Sequence, residues 1–117
     1  PTMRIEGNWN LAELNRATEE GIRNALTKGL EVILEEANKK VPHDTGELQA
    51  SGDIEVDASN KVGQVYYISP KAVRLHEHPE YNFQKGREGK WLEKAIDQNK
   101  NLIRDKIQEE VAKALRG

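Results

Sequence analysis

Residues 37–48 read ANKKVPHDTGEL, and this stretch decides the architecture. Upstream of it, Leu11, Leu14, Thr18, Ile22, Ala25, Gly29, Ile33 and Ala37 recur at steps of three and four. That spacing is one face of an α-helix, and Leu26, Leu30 and Leu34 widen the stripe. Pro42 ends the helix, because it has no amide hydrogen to donate and biases Val41 away from helical geometry. Asp44-Thr45-Gly46 is turn chemistry, with Gly46 able to take a positive φ. A further helical turn fits residues 47–51.

Working back toward the N-terminus, Asn10 stands three residues before Glu13, the arrangement of a capping box. A helix from there to Lys40 is roughly 45 Å long. Glu19–Arg23, Glu35–Lys39 and Glu36–Lys40 have the favourable i,i+4 order along it. Gly21 and Gly29 each cost about 1 kcal/mol inside a helix, so they mark close packing or a bend. Residues 1–9 lack a pattern and read as an arm.

Working forward, residues 53–57 (DIEVD) alternate polar and apolar, as a half-buried strand does. Ser59-Asn60-Lys61 turns the chain, and residues 61–68 (KVGQVYYI) form the hairpin partner. Ser69-Pro70 is an N-cap and N1 pair that opens a short helix to Glu77. Residues 78–89 have no period and contain Pro79, Gly86 and Gly89, which reads as a mobile loop. The last helix starts near Lys90, with Trp91, Leu92, Ala95, Ile96, Leu102, Ile103, Ile107, Val111 and Leu115 as its apolar stripe. The expected fold is α+β: a small antiparallel sheet packed against a long N-terminal and a long C-terminal helix, in one domain over residues 1–117. The two helices pack most simply on one face of the sheet and leave the other free.

The chain has 117 residues, 36% of them hydrophobic and 32% charged. That supports one thin core whose stability draws partly on partners. A net charge of −2 argues against a dedicated nucleic-acid binder. The charge is uneven: residues 1–84 sum to −5 and residues 85–117 to +3. Such asymmetry suits head-to-tail contact between copies, and a solvated helix face explains it equally. With no cysteine, disulfides, zinc-thiolate sites and thiol nucleophiles are excluded. No apolar run is long enough to span a membrane, and there is no signal-peptide pattern, so a soluble protein acting inside a cell is expected.

His76-Glu77-His78 is the one cluster suggesting metal or acid–base chemistry. Two histidines two apart at a helix end do not share a helix face as zinc-peptidase ligands do, and no third ligand is apparent. Exposed or interface histidines are the competing reading. Asp44-Thr45-Gly46 matches the aspartic-protease triplet, but that chemistry needs a second carboxylate and a strand where this chain has a helix. Gly86 and Gly89 are not followed by the Lys-Ser/Thr pair of a phosphate loop. Lys85, Arg87 and Lys90 form a basic patch suited to phosphate or to an acidic neighbour. Tyr66 and Tyr67 point to opposite faces by strand alternation, one into the core and one outward as an interface anchor. Tyr81 and Phe83 lie in the loop, and Trp91 fills the core.

Taken in order, Val41-Pro42-His43-Asp44-Thr45-Gly46-Glu47-Leu48, Ser51, a hairpin ending in Tyr66-Tyr67, residues 72–77 and Lys90-Trp91-Leu92-Glu93-Lys94-Ala95 form a familiar series. The chain resembles the head–tail joining and tail-completion proteins of long-tailed bacteriophages, over about residues 30–100. His78-Pro79 stands where the family usually has glycine, and Glu47 where it usually has arginine. The resemblance implies a virion structural protein without catalysis, cofactor or metal. It implies a ring, commonly hexameric, at the neck between portal connector and tail tube, with DNA passing through the lumen. It places the protein in the virion, and in the host cytoplasm during assembly. Tyr66, Tyr67, Tyr81, Phe83, Arg87 and Lys90, with the loop 80–89, are the expected ring contacts. The rivals are a metal-binding or enzymatic module on His76-Glu77-His78, and a DNA-binding adaptor using Arg87, Lys90 and Lys94.

Overall fold

Thr18 opens the long helix. Its hydroxyl accepts a hydrogen bond from the Gly21 amide (3.1 Å), and Glu19 and Glu20 place negative charge where the helix dipole favours it. The structure, a computed structural model, describes residues 3–8, 12–42, 46–69, 71–77 and 90–116. Helix α1 spans Glu19–Asn38, about 30 Å, and a 3-10 helix at Ala12–Arg16 precedes it. The regular helix therefore starts later than the Asn10 cap suggests, because Thr18 supplies a local cap that interrupts the stripe. Asn10 itself lies outside the described residues. At the other end Val41 donates its amide to the Ala37 carbonyl (3.0 Å), and Val41 and Pro42 are buried.

Gly46 takes the left-handed conformation (φ 84°) and leads into the single turn α2, Glu47–Ala50. Strand β2, Gly52–Asp57, and strand β3, Val62–Tyr67, then form the expected hairpin. Its turn is held by Asp57, whose carboxylate accepts from Ser59 Oγ (2.9 Å), Asn60 Nδ2 (2.8 Å) and the Asn60 amide (3.4 Å). Lys61 closes the turn at φ 55°.

Residues 3–8 are not an arm. Met3–Asn8 forms a further strand, β1, antiparallel to β3 with Met3 opposite Tyr67 and Asn8 opposite Val62. The sheet order is β1-β3-β2, so β3 is central. The free edge of β3 recruits a distant segment whose own alternation covers only a few residues.

Ser51 ties α2 to the end of β3: its hydroxyl donates to the Leu48 carbonyl (2.7 Å) and accepts from the Ser69 amide (3.2 Å). Ser69 then starts α3, Ala72–Glu77, its hydroxyl accepting from the Lys71 amide (3.3 Å). Pro70 and residues 78–89, including the loop expected to be mobile, lie outside the described residues.

The C-terminal helix is two helices. Helix α4 spans Trp91–Gln98 and α5 spans Lys100–Arg116. Asn99 separates them at φ −125°, donating its side-chain amide to the Ala95 carbonyl (2.9 Å) while its own carbonyl accepts from Ile103 (2.9 Å). One residue thus ends α4 and begins α5. Of the apolar stripe read from the sequence, Ile103, Ile107 and Val111 are buried, whereas Leu102 and Leu115 are half-exposed.

The helices stack in series. Helix α1 packs on the inner face of β2 and β3, and α5 packs on α1 instead of on the sheet. Gly21 and Gly29 explain how close that approach is. A Cβ built on Gly29 would sit 2.6 Å from Ile107 Cγ1, and one on Gly21 would sit 3.2 Å from Ala114 Cβ. Both glycines mark close packing. The core between the layers is formed by Leu26, Leu30, Ile33 and Ala37 of α1, Val65 and Tyr67 of β3, Trp91 and Leu92 of α4, and Ile103, Ile107 and Val111 of α5.

Candidate functional site

Strand alternation assigns the two tyrosines. Gly63, Val65 and Tyr67 are buried on the inner face of β3, while Val62, Gln64 and Tyr66 are half-buried on the outer face. Tyr67 is fully buried and donates its hydroxyl to Asn38 Oδ1 (2.7 Å). Its ring meets Trp91 edge-on, with centroids 5.7 Å apart and planes at 86°. Burial pushes the Tyr67 phenol well above its ordinary pKa, opposed by the Trp91 indole. Tyr67 is therefore a core residue and leaves the set of expected ring contacts. Tyr66 stays on the outer face, opposite Asp53 of β2 and Arg4 of β1 in register.

The outer face is acidic along β2. Asp53, Glu55 and Asp57 are all exposed, next to Val62, Gln64 and Tyr66 of β3. A shallow groove lined by Glu55, Asp57, Val62 and Gln64 runs along the hairpin end. Asp53 uses one oxygen to accept the Ile54 amide (2.8 Å), which caps a backbone donor of the edge strand. The turn bonds from Asn60 and then Ser59 hold the Asp57 carboxyl below its ordinary pKa. Ile68, directly after β3, is 60% exposed.

The basic residues are placed differently. Lys90, in the left-handed conformation (φ 57°) at the start of α4, pairs with Glu77 of α3 and lies 3.9 Å from Glu93. The Glu77 hydrogen bond raises the Lys90 pKa. The carboxylate in the middle of His76-Glu77-His78 is thus engaged by a lysine at the start of α4. The His76 side chain and His78 lie outside the described residues, as do Tyr81, Phe83, Lys85 and Arg87. Among the described residues, no group of three His, Cys, Asp or Glu side chains is placed to hold a metal ion. No described helix is long and apolar enough to cross a membrane.

Along the middle of α5 four charges pair with one another. Lys106 and Lys113 flank Glu109 and Glu110 at 3.3–3.8 Å. Burial alone would raise Glu110, but Lys113 and Lys106 together hold its carboxyl below the ordinary value. Helix α1 carries the expected Glu19–Arg23 pair (3.9 Å), while Lys39 bonds Glu36 (2.9 Å) in place of Glu35.

The sequence motifs read above for resemblance turn out to occupy joints of the fold. Val41, Leu48, Ala72, Trp91, Leu92 and Ala95 are buried, and Gly46 makes the turn. The sequence placed Asp53 on a half-buried strand and did not single out the exposed Arg104 of α5, because nothing in the spacing distinguishes either from solvated surface. Comparison with known protein families, curated proteins and solved structures found no match.

Proposed function

We propose that this chain is a structural subunit of a tailed-bacteriophage neck, one of a ring of copies that joins the DNA-filled head to the tail tube. The carrying observation is the division of labour along the chain. Residues that bear the resemblance (Val41, Leu48, Ala72, Trp91, Leu92, Ala95) belong to one core, with Gly46 making the turn beside it, and the exposed carboxylates of β2 lie on a separate face. In a ring subunit, function is delivered by outward faces held at fixed angles, and the core has only to hold them there. A passive role without catalysis or cofactor follows from this reading. So do neighbours on the portal-connector side and the tail-tube side, and residence in the virion after assembly in the host cytoplasm. The acidic edge strand β2 suits contact with protein better than with the DNA in the lumen. Cryo-EM of the mature particle tests the proposal: density for this chain is expected as a closed ring at the neck, and its absence from the neck and tail would overturn the reading.

A further inference from the structure

We propose that the ring closes through a head-to-tail contact in which the outer sheet face of one copy, centred on Asp53, meets the strip of α5 that carries Arg104 and Leu115 on the next. This inference rests on the ring-subunit reading above. Three observations lead to it. First, β2 bears three exposed carboxylates, Asp53, Glu55 and Asp57, and no basic side chain, and Ile68 adds exposed apolar surface just beyond β3. Second, Arg104 stands apart from the paired charges of α5. One turn to either side stand Lys100, Asn101, Ile107 and Gln108, none of them acidic, and no ion pair to Arg104 forms among the described residues. Leu115, 46% exposed, falls on the same side of the helix at i+11. Third, α1 lies between the sheet and α5, so these complementary surfaces do not meet within one subunit.

Geometry then selects the symmetry. A two-fold contact made through the sheet face alone would set β2 carboxylates against β2 carboxylates, which like-charge repulsion opposes. A heterologous contact sets carboxylate against guanidinium and Ile68 against Leu115, and it is the kind of contact that closes a ring when its rotation divides a full turn. Residues 85–117, which include α5, carry +3 against −5 on residues 1–84.

Charge reversal tests the contact. Asp53 and Arg104 are both exposed, so Asp53→Lys and Arg104→Glu leave the fold intact, which far-UV circular dichroism verifies. Native mass spectrometry over a concentration series is expected to show oligomers of the wild type. Each single reversal should raise the concentration needed for assembly by roughly tenfold or more, and the double variant should recover most of the loss. Wild-type oligomers unaffected by either reversal would overturn this contact and leave the ring reading standing, as would a wild type that stays monomeric while the neck ring is present in particles. Absence of the ring from particles overturns the reading itself.

Discussion

The side chain of Ile107 occupies the space that a Cβ on Gly29 would need. The gap from that position is 2.6 Å to Ile107 Cγ1 and 2.8 Å to Cδ1, well inside normal contact. The lack of a side chain at Gly29 is therefore what allows α5 to lie against α1 at this depth. Gly29→Ala is expected to lower stability by about 1 kcal/mol or more, since overpacking outweighs the improved helix propensity. Ile107→Ala should cost less in that background than in the parent chain. Urea denaturation of the four proteins measures the coupling.

Gly21 should behave in the opposite sense. Its missing Cβ would stand 3.2 Å from Ala114 Cβ near the end of α5, where a shift of a few tenths of an ångström relieves the contact. Gly21→Ala is expected to be neutral or to stabilise by up to about 1 kcal/mol through helix propensity. A midpoint of denaturation below the parent's would contradict this.

Tyr67→Phe removes the hydroxyl that donates to Asn38 Oδ1 while keeping the ring against Trp91 and over Gly52. A loss of about 1–2 kcal/mol is expected, with the fold retained. Tyr66→Phe, on the half-buried outer face, should cost less than Tyr67→Phe. A larger loss at Tyr66 than at Tyr67 would invert the assignment of the two faces.

The left-handed positions give a paired expectation. Gly46 sits at φ 84° and Lys61 at φ 55°. Gly46→Ala is expected to destabilise by about 1–2 kcal/mol, and Lys61→Gly to be neutral or mildly stabilising. Thermal melts of both variants decide the point.

Asp57 sets the acid response of the hairpin. Its carboxyl pKa is lowered in the folded chain by bonds from Asn60 and then Ser59. Its stabilising contribution is thus complete above the unfolded carboxyl pKa and disappears as pH falls through the lower folded value. The stability difference between wild type and Asp57→Asn should narrow on acidification over that window. A constant difference from neutral pH to strong acid would show that the turn does not draw on the ionised carboxylate.

Local chemistry made much of this protein readable in advance. Pro42 and Gly46 mark the end of α1 and the turn into α2 by backbone sterics alone. The alternation of residues 53–57 marks β2, and strand parity sends Tyr66 and Tyr67 to opposite faces. These signals act between neighbours, so they survive without a tertiary context. Residues 3–8 also alternate (Met-Arg-Ile-Glu-Gly-Asn), a signal that was present but too short to outweigh an irregular terminus. Asn99 is similar: a polar interruption in the stripe between Ile96 and Ile103 coincides with a helix break, where its side chain bonds the Ala95 carbonyl.

The sequence by itself determined the element types of the hairpin and the long helix, the end of that helix, and the turn after it, because each follows from propensities and sterics within a few residues. Only the tertiary structure decided that β1 joins β3, that α5 packs on α1 and not on the sheet, and that Tyr67 belongs to the core. Those outcomes depend on which distant surfaces fit together, as Ile107 fits against Gly29, and shape complementarity between remote segments leaves no period in the chain.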